Sequence, residues 1–306
     1  MLSLIIIAGP TGVGKTEVAL EIAERLGAEI VSADSMQVYK RMDIGTAKPT
    51  KEQQSRARHH MIDVIEPGDP FNAALFCSMA WPIIDNLCSS NRPALVAGGT
   101  GLYIKALTKG VFSCPGDNIA LRNKLKAEVE ANGLFSLFER LRSIDPLSAS
   151  RIHPNDTYRI IRALEVFELT GCPISEHHDK HGFSKDVLSC RVLKIGLTMD
   201  RERLYQRINQ RVDVMIGQGL IDEVKGLMED GFSPKLKSMQ SIGYSHAALY
   251  LAGGISLDDM LAAFKRDTRR YAKRQLTWFR KDPEIVWKGP DEVEYIWEAI
   301  DNFING

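Results

Sequence analysis

The chain has 306 residues, 44% of them hydrophobic, with 39 Lys and Arg set against 39 Asp and Glu. Those values exclude a largely disordered chain, and zero net charge excludes a protein drawn to nucleic acid by bulk charge. Length implies one or two domains, and no apolar run is long enough to span a membrane.

In chain order, Leu4–Ala8 is an Ile-rich run suited to a strand buried on both faces. It lacks a basic leader segment, so it reads as a strand and not as a signal peptide. Gly9-Pro10-Thr11-Gly12-Val13-Gly14-Lys15-Thr16 then completes G-x-x-x-x-G-K-S/T, in the strand-to-helix context that a phosphate loop requires. Its glycines let backbone N–H groups converge, and the helix N-terminus adds partial positive charge. Lys15 offers a point charge to the outer phosphates and Thr16 a hydroxyl for Mg²⁺. The loop specifies a polyphosphate without saying which; ATP or GTP is the default.

Val18, Ala19, Ile22, Ala23 and Leu26 repeat at helical spacing up to a stop at Gly27. Ala28–Ala33 predicts a second strand, Met61–Ile65 a short third and Pro93–Ala97 a fourth, ending in Gly98-Gly99. From about Asn118 to Glu176 the helical period dominates. A loop is expected at Cys172-Pro173 and over His177–Phe183. Arg191–Leu197 reads as a strand again, with helix from about Arg201. The prediction is α/β: a P-loop NTPase-like parallel sheet with flanking helices. Its core is 1–116 and 190–306, interrupted by a helical insertion at 117–189.

Ligands of open α/β sheets sit beyond the carboxyl ends of the strands. Asp34-Ser35 and Gly98-Gly99-Thr100-Gly101 arrive there beside the phosphate loop. Asp34 is a candidate Mg²⁺ ligand, a candidate general base, or an Asx-turn aspartate. Thr100 is either a donor to a phosphate oxygen or a helix N-cap. Lys40, Arg41, Thr46 and Lys48 form a basic loop suited to RNA phosphates or to solvent. Cys77, Cys88, Cys114, Cys172 and Cys190 form no CxxC pair, and a reducing cytoplasmic setting is expected. His59-His60 and His177-His178-His181 read as surface or capping residues, not metal ligands.

Six segments together resemble one family. GPTGVGKT, SADSMQVYKRMDIGTAKP, VAGGTGLYIKAL, RIHPNDTYRIIRALEV, QSIGY and KRQLTWFRK occur in the order found in the tRNA dimethylallyltransferases, from Ile5 to Lys281. The Asp34–Pro49 block is far more specific than the phosphate loop. The resemblance implies transfer of a dimethylallyl group from dimethylallyl diphosphate to N6 of adenosine at tRNA position 37. The loop from Gly9 to Thr16 would hold the diphosphate of the donor, with Mg²⁺ on Thr16. Asp34 would be the base, while Lys15 and Thr100 stabilise the leaving diphosphate. The target base would have to leave its stack.

The same resemblance implies tRNA contacts. Asp34, Ser35, Met36, Gln37 and Thr100 would meet the flipped base, with Ser35 and Gln37 reading base edges. The helical insertion would grip the anticodon arm through Arg122, Tyr158, Arg159, Ile160, Ile161 and Arg162. Gln240, Ser241, Gly243 and Tyr244 would form a further contact, with Gln240 near the position where many bacterial members carry Arg. Lys273, Arg274, Gln275, Trp278 and Arg280 complete the set. Helical spacing puts Arg266, Arg270, Lys273 and Arg280 on one face, with Phe264, Tyr271 and Trp278 opposite, toward the core. The zinc-finger spacing that eukaryotic members add is absent, which favours a bacterial type, and a monomer is expected. A free-nucleotide prenyltransferase, a small-molecule P-loop kinase and a non-catalytic RNA-binding module are the competing readings.

Overall fold

The structure, a computed structural model, describes residues 3–90, 92–110, 118–181 and 190–306. Six parallel strands form one sheet: β1 (Ser3–Ala8), β2 (Glu29–Ser32), β3 (His59–His60), β4 (Ala94–Gly98), β5 (Arg191–Leu197) and β6 (Ile285–Lys288). Their order is β3-β2-β4-β1-β5-β6. β1 lies centrally, with Ile6 between Val96 and Lys194. Leu4 to Ile7 are fully buried, as an Ile-rich strand covered on both faces must be.

By packing, the chain divides into two compact units: Met1–Leu107 with Leu188–Gly306, and Thr108–Val187. The first carries the sheet, flanked by α1 (Lys15–Leu26), α2 (Lys51–Arg56) and α3 (Ala73–Ser89), and most of α4 (Gly101–Lys109). The second consists of α5 (Ile119–Asn132), α6 (Leu134–Ile144), α7 (Pro146–Arg151), α8 (Thr157–Thr170) and α9 (Ile174–His181). The chain then returns to the sheet through β5. It continues as α10 (Arg201–Gly217), α11 (Leu220–Glu229), α12 (Tyr244–Leu251), α13 (Leu257–Phe279) and α14 (Val293–Asn305). Among the described residues, no helix is long and apolar enough to cross a membrane.

The sheet core joins Ile5, Ile7, Leu95 and Ile195 to Val18 and Ile22 of α1, Leu204 and Ile208 of α10, and Trp297 of α14. α1 ends on Gly27, whose φ of 62° lets its N–H return to the Ala23 carbonyl. The helical unit has its own core of Leu125, Leu137, Phe138, Leu141, Ile160 and Leu164.

Two expectations are corrected and one strand is added. Met61–Ile65 is not a strand: pairing with β2 occurs at His59–His60. Met61 and Asp63 turn the chain with φ of 62° and 56°, and Ile65 makes only an isolated bridge to Tyr39. Helix, not loop, continues through His177 to His181 in α9, while 182–189 lie outside the described residues. β6 was not anticipated. It is an edge strand anchored by the buried Lys194 of β5, which bonds Asp282 and Glu284 at 2.7 Å each. Cys77, Cys88, Cys172 and Cys190 are free thiols; Cys114, Pro115 and Gly116 lie outside the described residues.

Candidate active site

The site is built where β1, β2 and β4 end. Gly14 precedes α1 in the left-handed region (φ 110°) and supplies no side-chain cap, so the first-turn amides remain available to an anion. Thr11 donates its N–H to the Gln275 side-chain oxygen at 2.8 Å. The Gln275 amide nitrogen donates to the Gly99 carbonyl at 2.8 Å. One buried side chain of α13 thus staples the phosphate loop to the Gly98-Gly99-Thr100 turn. Gly98 passes so close to the Ala33 carbonyl that no Cβ fits.

Lys15 donates to the Pro10 carbonyl at 2.8 Å. Its desolvation, only partly offset by the Asp34 charge and reinforced by Arg211, pulls its pKa down to about 8. Asp34 forms an Asx turn: Oδ1 accepts from Met36 N at 2.8 Å and Gln37 N at 3.4 Å. This geometry engages one oxygen and leaves the other for chemistry. The Thr100 hydroxyl accepts from Ser35 N at 3.0 Å and also bonds the Tyr271 phenol. Beside Thr100 and Gln275 stands the Tyr271 phenol, pushed to high pKa by burial and by the Asp34 charge.

Lys15, Asp34, Tyr271 and Gln275 border a cavity of about 380 Å³, whose lining does not include Thr100. Its lining combines polar and charged groups, Thr11, Lys15, Asp34 and Arg211, with the apolar side chains of Ile208, Val212, Met215 and Phe264. Arg211 stands on the same face of α10 as Ile208, Val212 and Met215. Arg211 is partly buried. Desolvation lowers its pKa, the Asp34 charge raises it, and Arg207 opposes it one turn back. Arg207 itself approaches Gly14 at the mouth of α1. Sequence reading missed Arg211, although Arg203, Arg207 and Arg211 recur every four residues on α10. It also assigned Tyr271 to the core, where the structure puts it in the cavity wall.

Several expected RNA contacts are placed otherwise. Tyr244 is fully buried and donates to Glu223 at 2.5 Å, so it cannot reach RNA. Ile160 and Ile161 are core residues of the helical unit, 0% and 5% exposed. Arg122 and Arg162 both bind the fully buried Glu165, a carboxylate that needs them for compensation. Tyr158 and Arg159 project outward, Arg159 paired with its own N-cap Asp156. The Gln37 amide is engaged internally, with Ser32, Thr46 and Ala47. Gln275 serves the staple. Trp278 is not in the core: it is 40% exposed and lies against Gly101, leaving no room there for a Cβ. Arg266 and Arg270 pair with Asp267. Lys273, Arg274 and Arg280 are exposed, and Arg274 also borders the cavity with Gln240 and Ser241. Gly243, at φ 95°, packs on Phe264.

No cluster of three His, Cys, Asp or Glu suited to a metal occurs among the described residues. His60 bonds Glu29, and His177 bonds Thr170. The side chains of His178 and His181 lie outside the described residues. What the site offers is the Thr16 hydroxyl and one carboxylate, Asp34. That sparse donor set fits Mg²⁺ bound chiefly through the oxygens of a substrate diphosphate.

Fold and site together define a P-loop α/β enzyme whose cavity is lined by both charged and apolar side chains. Residues 37–282 match the IPP transferase family model, and residues 2–66 match that of isopentenyl transferase. The chain belongs to the IPP transferase family. It is 52% identical over 297 residues to a tRNA dimethylallyltransferase of Desulfosudis oleivorans, covering 96% of this chain and 94% of that protein. The enzyme of the same description from Geobacter metallireducens is 49% identical, covering 95% and 92%. Among solved structures, the tRNA isopentenylpyrophosphate transferase of Bacillus halodurans aligns with a TM-score of 0.72 at 39% identity, covering 99% and 96%. A eukaryotic dimethylallyltransferase acting on tRNA aligns at 0.81 and 26%, covering 100% and 80%.

Proposed function

We infer that the chain transfers a dimethylallyl group from dimethylallyl diphosphate to N6 of adenosine in tRNA, giving N6-isopentenyladenosine and diphosphate. The adenosine is that of position 37, beside the anticodon. The observation that carries this reading is the mixed lining of the cavity: Lys15, Arg211 and Asp34 border it together with Ile208, Val212, Met215 and Phe264. A five-carbon allylic diphosphate uses both kinds of lining, the charged groups for its diphosphate and the apolar side chains for its hydrocarbon.

The adenine N6 amine is a weak nucleophile because its lone pair is delocalised into the ring. As the new C–N bond forms, the allylic C–O bond breaks and its electron pair leaves with the diphosphate. Asp34 takes the N6 proton on the oxygen that its Asx turn leaves open. Lys15, the phosphate-loop amides and Arg211 hold the charge that builds on the leaving group. Mg²⁺, held by Thr16 and the diphosphate, supplies further neutralisation when bound. The apolar side chains of the lining exclude water from the allylic cation. The helical unit meets the anticodon arm through the exposed Tyr158 and Arg159, and the chain acts as a cytoplasmic monomer.

The test is mass spectrometry on an anticodon stem-loop RNA incubated with the protein, Mg²⁺ and dimethylallyl diphosphate. AMP and ATP serve as parallel acceptors. Gain of one C5H8 unit on the RNA alone is expected; gain on free nucleotide alone would overturn the RNA acceptor. Asp34→Asn is expected to lower kcat by about 10²–10⁴ while RNA binding persists. Near-normal turnover would remove Asp34 from the role of base.

A further inference from the structure

Gly45 and Thr46 border the cavity, yet residues 43–47 belong to no helix or strand. The shape of this loop is imposed from behind. The Glu223 carboxylate of α11 accepts from three successive backbone amides, those of Asp43 at 3.0 Å, Ile44 at 2.8 Å and Gly45 at 3.3 Å. It also accepts from the Tyr244 phenol at 2.5 Å. Consecutive amides curled toward one centre form an anion nest. Here the anion is the protein's own side chain. Beneath the loop, the Tyr244 ring packs on Gly45 so closely that no Cβ fits.

The bonding continues forward from the loop. Gln37 donates to the carbonyls of Thr46 at 3.4 Å and Ala47 at 3.1 Å, and accepts from Ser32 at 2.8 Å. Gln37 also closes the Asx turn on Asp34. Glu223 is therefore joined to the candidate base through the loop and Gln37, without bordering the cavity itself.

We propose that Glu223 is a positioning residue for the acceptor side of the site. The amides of 43–45 are turned away into Glu223, so these three donors are not offered to an anion in the cavity. The diphosphate belongs to the phosphate loop and Lys15. The face presented by Gly45 and Thr46 suits the neutral, flat partner, the acceptor base. This assignment rests on the reading of tRNA as acceptor, whereas the latch itself does not.

The test uses Glu223→Gln and Tyr244→Phe in the full chain, with two readouts. Hydrogen exchange over residues 42–47, read without substrate, is expected to quicken about tenfold or more in Glu223→Gln, as loss of a charged acceptor implies. KM for stem-loop RNA is expected to rise about tenfold while KM for dimethylallyl diphosphate stays within about twofold. Tyr244→Phe, which spares the three amides, is expected to move both readouts in the same direction by about two- to threefold. Unchanged exchange would overturn the latch. Faster exchange with unchanged KM for RNA, and activity falling only with the folded fraction, would overturn the positioning role. If Glu223→Gln does not fold, Tyr244→Phe decides on the same two readouts. A wild-type enzyme that does not prenylate RNA would overturn the acceptor assignment, leaving the latch to be judged by exchange alone.

Discussion

Lys15 shows how far a motif residue depends on distant parts of the chain. Its place in GPTGVGKT is visible in the sequence, but its pKa of about 8 is not. That value comes from desolvation at the loop and from Arg211, almost two hundred residues away. The sign of the consequence follows. The folded pKa lies below the usual lysine value, so the ligand-free fold binds fewer protons than the unfolded chain between about pH 8 and 10.5. The stability cost of confining the ammonium is greatest below pH 8 and fades as pH rises through that window. A bound diphosphate restores the charge. Titrating diphosphate at pH 8.5 in buffers of different ionisation enthalpy, in wild type and in Lys15→Arg so that the ligand's own ionisation cancels in the difference, is expected to reveal proton uptake specific to Lys15. Identical buffer dependence in the two proteins would show that Lys15 is already fully charged. Asp34 was legible as a residue of interest at the end of a strand. That it serves both an Asx turn and the cavity could be seen only once Met36, Gln37 and the cavity were placed.

Among elements, α13 has the largest share in shaping the site. Its buried stripe includes Gln275, a polar residue tolerated there because both ends of its amide are satisfied. Gln275→Ala removes the bond to Thr11 N and the bond to Gly99 O together. KM for dimethylallyl diphosphate is expected to rise about tenfold, with KM for RNA nearly unchanged. An increase confined to KM for RNA would place Gln275 at the acceptor instead. β1 was readable because a strand covered on both faces is written as an unbroken apolar run, and β5 because Val192, Leu193, Ile195 and Leu197 flank its Lys194. Met61–Ile65 misled for the same reason: Met61 is buried, but in a turn that bends at Met61 and Asp63. β6 escaped notice because an edge strand of four residues, with one buried, carries little periodicity. The helical period of 201–217 was clear, but only the fold turns Arg211 toward Asp34.

For the whole molecule, the zero net charge becomes informative once charges are sorted by partner. Many cations are already engaged: Arg122 and Arg162 with Glu165, Lys48 with Asp43 and Asp63, Arg266 and Arg270 with Asp267. Lys273 and Arg274, adjacent and exposed near the cavity, are the better candidates for phosphate contacts. Replacing either with Ala is expected to reduce the slope of log K against log salt by about 0.7–0.9. Fluorescence anisotropy on a labelled stem-loop between 50 and 200 mM salt would measure it. An unchanged slope would remove that residue from the RNA interface. The balance of charges hid this surface from composition alone, while the KRQLTWFRK segment marked it.

The strand order carries a consequence for how the protein is made. β1 pairs with β4 on one side and with β5 on the other, and β5 begins at Arg191. At a ribosomal pace of about 5–20 residues per second, the first strand waits on the order of 10–40 s for that second neighbour. The glutamine that staples the phosphate loop arrives later still, at position 275. During that interval an Ile-rich segment has one open edge beside the growing chain, the condition under which nascent chains recruit chaperones. The phosphate loop is among the first segments synthesised and among the last completed, so a chain truncated before α13 lacks the staple however well its N-terminal half has formed.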